Sequence, residues 1–549
     1  MKLLTFLTLL FATILIKADP PLKTALDKID EQGLVKHIKI LSSDEFLGRA
    51  PAHEGEEKTL EYLTGQFQKL GLKPGNGDSY LQPFDLVEVH SKPLEIMEVK
   101  GEKGSVKLNW AEEFVAQSSH LTNLVEYKDV EIVFAGYGIT APEYNWFDYG
   151  NIDVKGKVVV VMVNDPGYHT KNTELFTGNA MTYYGRWTYK YEEAARQGAA
   201  GLFIVHEDGA ASYPWAVVRN GWTGEEFYKE STDSNFSRAK VNGWINLAKA
   251  KEIFSLAGYD FDEELKKASL GSYKGLNLNL KTSMRIENKF SNVVTNNVIG
   301  YIPGEKRPEE YIFYMGHWDH LGIDLSLEGD QIYNGARDNA SGIAALLEIA
   351  EAFQSLDKKP ERSIVFLAVG AEERGLLGSA YYVANPIFPL SKTVAAINMD
   401  GLNIFGPMND VHIVGYGQSG LDNYVKNAAS EMGKIVKPES NPEAGIYYRS
   451  DHFSFAHGGV PAIYLKHGND HKELGEEKTK KIVAEWTKNL YHKVGDEYDA
   501  ETWDLRGMVE EVRMLFRIGY QLSKEDTFPQ WSEKSEFRKI REKSLADKN

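Results

Sequence analysis

Residues 311–320 read YIFYMGHWDH, and this stretch decides the fold class. The apolar run at 311–315 predicts a buried strand. Gly316 ends that run, and His317, Asp319 and His320 follow at once. A strand that delivers imidazole and carboxylate groups at its carboxyl end is typical of an open α/β sheet that binds its ligand at that edge.

Strand-like and helix-like segments alternate from residue 292 onward. Apolar runs occupy 293–302, 311–315, 364–369 and 394–399, and amphipathic runs occupy 343–353, 421–432 and 505–522. This alternation predicts an α/β fold with a mixed, mostly parallel sheet and helices on both faces. Between 121 and 284 the chain has short apolar strands and many glycine turns instead, which indicates a smaller, β-rich α/β insert that interrupts the fold.

Further polar residues follow the ends of the predicted strands. Glu372 and Glu373 follow one apolar run, Asp400 follows the next, and Asp338 stands just before a helix that begins near Ser341. Carboxylates crowded at one edge of a sheet would repel one another unless bound cations offset their charge. The chain contains no cysteine, so a metal at this edge must be held by histidine and carboxylate.

Composition excludes several classes of protein. The 549 residues include 62 lysines and arginines against 79 aspartates and glutamates, a net charge of −17. This acidity argues against a nucleic-acid partner, because a phosphate backbone needs a basic surface. The absence of cysteine also rules out disulfides, thiolate metal sites and cysteine nucleophiles.

The first eighteen residues have the layout of a signal peptide. Lys2 precedes an uncharged apolar run at 3–16, and Ala18 stands where a cleavage site is expected. The run is shorter than the ~20 residues that span a bilayer, and no later stretch approaches that length. We therefore expect an exported protein with a signal peptide at 1–18 and no membrane span in the mature chain. Periplasm or medium as destination, and the oligomeric state, stay open.

Several motifs occur together in one order along the chain. They are His317-x-Asp319, GARDNASG at 335–342, Glu372-Glu373, Asn398-Met399-Asp400, Arg449-Ser450-Asp451-His452, and Tyr491-His492 with Asp496 after it. In this arrangement the chain resembles the co-catalytic zinc peptidases of the M28 class, which include secreted bacterial aminopeptidases and glutamate carboxypeptidase. The block 121–284, with GKVVV at 156–160 and GAAGLFI at 198–204, resembles the protease-associated domain often inserted in these enzymes. The resemblance implies a discontinuous catalytic domain of the zinc-exopeptidase type over 19–120 and 285–549.

The resemblance also implies a site for two zinc ions per chain. Asp338 would bridge both ions, His317 and Asp400 would complete one coordination shell, and Glu373 and His492 would complete the other. Imidazole and carboxylate are good zinc ligands, and each ion would keep a position for water. Two metals a few ångströms apart need such a bridging carboxylate.

Three neighbours of these ligands receive roles from the same resemblance. Glu372 would be the general base that takes a proton from a metal-bridging water and passes it to the leaving amine. Asp319 would hold the second ring nitrogen of His317 and so fix its tautomer. Tyr491 would stabilise the oxyanion.

For other residues two interpretations stay open. Some relatives place the oxyanion tyrosine near the Ser-Asp-His segment, where Tyr447 and Tyr448 stand. Arg449 would line the substrate pocket or form a surface ion pair. Of the histidines from residue 317 onward, six are not needed by the five-ligand scheme. His452 is expected to be structural, and the other five are expected behind the ligands or on the surface: His320, His412, His457, His467 and His471.

The sequence therefore predicts an exported, zinc-dependent exopeptidase, an aminopeptidase that removes N-terminal residues from peptides. One alternative is a carboxypeptidase or dipeptidase that acts on an acidic terminus, although only Arg449 stands near a motif where several arginines are expected. Another is a metal-free binding protein on the same fold, as in the transferrin receptor ectodomain, and a third is a one-zinc glutaminyl cyclase. The complete ligand set argues against these last two. The preferred N-terminal residue and the native metal stay open.

Overall fold

The computed structural model of the protein describes residues 20–271, 273–533 and 535–546, so the expected signal peptide at 1–18 lies outside the described residues. The helices are α1 (Pro20–Leu26), α2 (Glu31–Leu41), α3 (Glu54–Lys69), α4 (Pro166–Thr170), α5 (Trp187–Arg196), α6 (Asp208–Ala211), α7 (Trp215–Trp222), α8 (Leu247–Ala257), α9 (Phe261–Ala268), α10 (Ser341–Gln354), α11 (Leu377–Ala384), α12 (Leu421–Glu431), α13 (His452–His457), α14 (Gly475–Asn489), α15 (Arg506–Lys524) and α16 (Arg538–Ala546). The strands are β1 (Lys73–Pro74), β2 (Leu81–Pro93), β3 (Ile96–Gly101), β4 (Gly104–Asn109), β5 (Phe114–Gln117), β6 (Leu124–Phe134), β7 (Thr140–Ala141), β8 (Trp146–Phe147), β9 (Val158–Met162), β10 (Gly201–His206), β11 (Glu225–Tyr228), β12 (Val241–Asn246), β13 (Leu276–Ile302), β14 (Arg307–His317), β15 (Gly322–Ile323), β16 (Ile332–Tyr333), β17 (Arg362–Val369), β18 (Thr393–Asn398), β19 (Asp410–Val414), β20 (Ile435–Pro438) and β21 (Ala462–His467).

A mixed sheet with a parallel centre forms the body of the molecule. Strands β17, β14, β18 and β21 are neighbours and run parallel. On one side β13 joins β17 antiparallel and β2 joins β13, and on the other side β19 joins β21 antiparallel and β20 joins β19. The predicted mixed, mostly parallel sheet is confirmed.

Helices cover both faces of this sheet. Successive side chains of a strand point to opposite faces, so Ile312 and Tyr314 of β14 enter one hydrophobic core while Phe313 and Met315 enter another. The first core contains residues of α2, α10 and α15, and the second contains residues of α11 and α13. Residues 311–315 thus contribute to two cores. This burial on both faces explains why the sequence is apolar at every position of the run.

The long strand β13 connects the body to a second sheet. Its residues 276–287 pair with β6, and its residues 286–298 pair with β2. Beyond β6, strands β9, β10 and β12 continue the second sheet in parallel, and β5 closes it antiparallel. This sheet also has a core on each face, since Val158 and Val160 enter one and Val159 and Val161 enter the other.

The packing of the second sheet begins before the expected start of the insert. Met97 and Phe114 belong to the same core as Val158, so the segment that carries β3 to β5 packs with the insert rather than with the body. The division of the chain at 121–284 stays a prediction.

Strand register places the predicted polar residues at one edge of the body. His317, the last residue of β14, pairs with Val369, the last residue of β17, and Asn398 at the end of β18 pairs with Met315. The segments that follow all three strands therefore leave the sheet side by side. Among the described helices, none combines the length and the apolar character that a membrane crossing needs.

Candidate metal centre

Asp338 lies between two histidines at this edge. Its Oδ1 is 3.1 Å from Nε2 of His317, and its Oδ2 is 3.2 Å from Nε2 of His492. Asp400 Oδ1 is 3.8 Å from Nε2 of His317, and Glu373 Oε2 is 3.2 Å from Nε2 of His492. The structure therefore brings the five predicted ligands together, in two groups that share Asp338.

The carboxylates of this cluster raise the pKa values of the two imidazoles. Burial alone would lower the pKa of His317, but the carboxylates of Glu372, Asp338 and Asp400 raise it well above its ordinary value. Burial is likewise outweighed at His492, where Glu373 and Asp338 raise the pKa to about 9. The crowded carboxylates therefore favour positive charge at both imidazoles. Divalent cations would offset them in the same place, and imidazole with carboxylate is the donor set that suits zinc.

Glu372 and Glu373 face different halves of the cluster. Glu373 lies beside His492, as its 3.2 Å contact shows. A carboxylate oxygen of Glu372 instead lies within 4.8 Å of ligand atoms of His317 and Asp400. Burial, with the charges of Glu373 and Asp400 among others, raises the pKa of Glu372 well above its ordinary value.

The carboxylate of Asp319 binds the backbone of the two glutamates and not, as expected, the ring of His317. Nδ1 of His317 lies 3.0 Å from the backbone carbonyl oxygen of Asp319, whereas the carboxylate is 3.8 Å away. The two carboxylate oxygens instead accept the backbone N–H groups of Glu372 and Glu373, at 3.0 and 3.2 Å. A carbonyl oxygen can only accept, so it holds the proton on Nδ1 of His317 and leaves Nε2 for a metal.

His320 belongs to the centre, although the ligand scheme did not require it. Its side chain is fully buried, and its Nδ1 lies 2.7 Å from Oε1 of Glu373. Its Nε2 has no hydrogen-bond partner among the described residues. His320 thus orients Glu373 from behind, and the surface position is excluded. The available signal was its place three residues after His317, in the segment that leaves β14.

Two buried side chains hold the loops that carry the ligands. The carboxylate of Asp496 accepts the backbone N–H groups of Asp338 and of the residue before it, both at 3.0 Å. The guanidinium of Arg49 donates to the carbonyl oxygens of Trp318 and Gly335, both at 2.9 Å. Arg49 therefore ties the segment after β14 to the turn that presents Asp338.

Asp400 is fixed by its own hydrogen bonds. Ser450 Oγ donates to Oδ2 of Asp400 at 2.5 Å, and Nδ2 of Asn398 donates to Ser450 Oγ at 2.7 Å. The hydroxyl of Tyr464 donates to the backbone carbonyl oxygen of Asp400 at 3.0 Å. The motif residues Asn398 and Ser450 therefore position a ligand.

The tyrosines of the two motifs lie in different surroundings. Tyr491 stacks on His492, with ring centroids 4.0 Å apart, and 46% of its surface is exposed. Tyr447 and Tyr448 are buried in the core that contains α11 and α13, and the hydroxyl of Tyr448 donates to Glu536 at 3.2 Å. Of the three, only Tyr491 touches a predicted metal ligand and faces solvent.

Arg449 reaches from the body to the insert. Its Nη2 donates to the carbonyl oxygen of Ala211 at 3.2 Å, and its guanidinium lies 5.3 Å from the ring centre of Tyr213. Its Nε is buried with no hydrogen-bond partner in the described part of the chain. Arg449 also forms no ion pair with a described carboxylate, so the interpretation as a surface ion pair is wrong.

Known proteins resemble parts of this chain. Aminopeptidase NAALADL1 of Mus musculus is 31% identical over 217 residues, which cover 35% of this chain and 27% of that protein. The glutamate carboxypeptidase 2 homolog of Caenorhabditis elegans is 30% identical over 308 residues, which cover 49% of this chain and 37% of that protein. The chain thus spans between about a quarter and two fifths of the length of these relatives.

A solved structure and a family model add to this. The aminopeptidase from Aneurinibacillus sp. strain AM-1 superposes with a TM-score of 0.53 at 18% sequence identity, over 91% of this chain and 95% of that chain. At an identity this low, the superposition shows a common fold and nothing further. The model of peptidase family M28 matches residues 297–516, which carry all five residues of the cluster around Asp338. Over residues 297–516, the chain therefore matches peptidase family M28.

Proposed function

We propose that this protein is an exported, zinc-dependent exopeptidase, and specifically an aminopeptidase that acts on peptides. The observation that carries the proposal is that the two oxygens of Asp338 face two different imidazoles. A carboxylate shared in this way suits a pair of cations. His317 and Asp400 would complete one zinc site, and Glu373 and His492 the other.

Each residue of the centre has a defined part in hydrolysis. Zinc, when bound, supplies Lewis-acid polarisation of the scissile carbonyl and lowers the pKa of a water molecule. The carboxylate of Glu372 takes up a proton at an Oε atom and passes it to the departing amine, for which its position beside His317 and Asp400 is suited. The hydroxyl of Tyr491 donates to the developing oxyanion from the exposed side of His492.

The choice of aminopeptidase rests on the relatives, and export rests on the layout of residues 1–18. The mouse relative and the superposed bacterial structure are both named aminopeptidases.

A carboxypeptidase that acts on acidic C-termini is the second candidate, and two arginines favour it. Arg186 of the insert makes no side-chain hydrogen bond or ion pair with a described residue. Burial, and next the charge of Arg449, lower the pKa of Arg186 to about 10. Two guanidinium groups that lack a carboxylate would attract one from a substrate. The nematode relative is named a glutamate carboxypeptidase homolog.

A substrate panel with the full-length chain separates the two candidates. We expect cleavage of aminoacyl-nitroanilides, loss of that activity with a strong chelator and recovery with added zinc. Asp338→Ala should lose two zinc equivalents relative to the wild type, because one carboxylate serves both ions. Cleavage of N-blocked peptides that end in glutamate, with a higher KM in Arg449→Ala, would establish the second candidate instead. Full activity of Asp338→Ala would contradict both.

A further inference from the structure

A second group of metal-binding side chains lies on the β2–β11 pair, outside the centre described above. Glu88 and His90 belong to β2, Glu225 belongs to β11, and one nitrogen or oxygen atom of each lies within 4.8 Å of the others. Glu225 pairs directly with His90 in the antiparallel register. Glu88 precedes His90 by two residues and so shares its face of the strand. The backbone therefore fixes three ligands on one face.

The separations in this group are close to those of a zinc site. Nε2 of His90 is 2.8 Å from Oε1 of Glu88 and 3.9 Å from Oε2 of Glu225. Tetrahedral zinc with bonds of about 2.0–2.2 Å holds its ligand atoms about 3.3 Å apart, and the observed values lie on either side of that. Nε2 of His53 is 3.9 Å from the other oxygen of Glu225, at the edge of this group.

The partners of the two glutamates leave the inner oxygens free for an ion. Ser291 Oγ donates to Oε2 of Glu88 at 3.0 Å, so Oε1 faces His90 alone. Arg374 contacts Oε1 of Glu225 at 3.4 Å, whereas Oε2 faces His90. Both carboxylates thus present one oxygen to the same point.

We propose that Glu88, His90 and Glu225, with His53 beside them, bind one zinc ion or a similar borderline transition-metal ion. Imidazole among the donors favours such an ion over magnesium or calcium, which prefer oxygen ligands. Glu225 lies in the insert, and the other three residues lie outside it, so the ion would tie the insert to the body. This site shares no residue with the centre around Asp338 and goes beyond the proposed function.

The test counts zinc in the full-length protein after stripping and equilibration with zinc alone. We expect His90→Gln and Glu225→Gln each to hold one zinc fewer than the wild type. Asp338→Ala should keep this zinc while it loses the two of the other centre. His90 and His53 are about half exposed, so these variants should keep the fold, which far-UV circular dichroism checks.

A matched control is available on the insert. His169 lies 2.9 Å from Oε2 of Glu207 and so resembles the His90–Glu88 pair, but no third carboxylate or imidazole of the described residues joins it in a ligand group. His169→Gln should therefore leave the zinc count unchanged.

A spectrum gives a second, independent readout. Cobalt in place of zinc should give visible absorption bands in Asp338→Ala, and these should vanish when His90→Gln is added. The proposal is overturned if His90→Gln binds as much zinc as the wild type, or if Asp338→Ala retains neither zinc nor cobalt bands.

Discussion

Glu372 and Glu373 show how one turn gives two identical side chains different chemistry. Both backbone N–H groups donate to Asp319, which fixes the turn. From there Glu373 reaches His492, while Glu372 reaches the half of the centre that contains His317. A ligand and a base can therefore be neighbours in sequence, because adjacent side chains leave the main chain in different directions.

Substitution of each glutamate by glutamine should separate these roles. Glu372→Gln should keep both zincs around Asp338 and change KM little, but kcat should fall by roughly 10²–10⁴, the usual cost of losing a general base. Glu373→Gln should instead weaken the binding of one zinc, with partial rescue by excess zinc. Zinc analysis and steady-state kinetics of both variants measure this. Loss of metal in Glu372→Gln, with two zincs retained in Glu373→Gln, would reverse the assignment.

At the residue scale, the sequence predicted which side chains meet but not always through which atom. The five residues of the cluster around Asp338 could be named because their motifs resemble those of the M28 peptidases, and three of the five follow the ends of predicted strands. The contact of His317 with the carbonyl oxygen of Asp319 could not be foreseen, since it depends on where the carboxylate finds backbone donors. His320 was undecided for the same reason, because only the fold brings Glu373 to it.

At the scale of elements, a buried carboxylate of α15 contacts the segment that follows the ligand Asp400. Oε2 of Glu511 accepts the backbone N–H of Asn403 at 2.9 Å, in the segment after Asp400. Burial raises the pKa of Glu511 from 4.5 to about 7, although Lys466 and Arg337 among others lower it. The folded protein therefore binds this proton more tightly than the unfolded chain does.

This difference in proton binding predicts a pH-dependent effect of Glu511→Gln. The stability that Glu511 contributes is complete below pH 4.5 and is lost as the pH rises through about 7. Glutamine keeps an acceptor for Asn403 without a charge, so the variant should be more stable than the wild type at pH 8, by at most about 3 kcal/mol. Thermal unfolding between pH 4.5 and 8 measures it, and the difference should vanish at the acid end.

The neighbouring residue Glu510 gives a control of opposite sign. Burial raises its pKa, but hydrogen bonds from Lys434 and Lys472 outweigh this and lower it. Glu510→Gln should therefore destabilise the protein at pH 8. If the melting temperature of Glu511→Gln equals that of the wild type at every pH, the pKa of Glu511 is not raised in the folded protein.

The spacing of apolar residues along the sequence predicted most helices and strands of the body. The central strands and the helices α10, α12 and α15 follow from apolar runs and amphipathic spacing. The turn before α10 is different, because the backbone N–H groups of residues 337 and 338 donate to the carboxylate of Asp496, more than 150 residues away in sequence. Local pattern carries no signal for a contact of that kind.

At the scale of the whole molecule, two features join the body to the insert. One is the strand β13, and the other is the docked segment, residues 179–183 of the insert, which packs against the body. A single strand, β13, takes part in both sheets, and its alternating pattern gives no sign of where one sheet ends. Met97 and Phe114, which precede the predicted start of the insert at 121, share a core with residues of the insert. Boundaries between sheets that share a strand are set by tertiary packing, not by composition.

The docked segment of the insert lies against the loop that leads to the metal centre. The backbone N–H of Met181 donates to the carbonyl oxygen of Pro442 at 3.0 Å, and Nδ2 of Asn179 donates to Glu443 at 2.9 Å. The ring of Tyr183 packs on Phe453, with centroids 5.4 Å apart. The same loop continues through Arg449 to Ser450, the residue that holds Asp400.

Loosening this contact should change substrate binding more than metal binding. The five predicted ligands of the centre around Asp338 all lie outside the insert, so Tyr183→Ala should keep the two zincs of that centre. It should raise KM about fivefold, equivalent to about 1 kcal/mol, and more for longer peptides than for dipeptides, because Arg449, the candidate pocket residue, contacts the insert. Tyr184→Phe is the matched control, since it removes only a hydroxyl that donates to Glu143 within the insert. Zinc analysis with KM for both substrate lengths decides the matter. Loss of the two zincs of the centre around Asp338 in Tyr183→Ala would show that the insert is part of that centre. Equal kinetics for both variants would show that the docked segment does not reach the substrate.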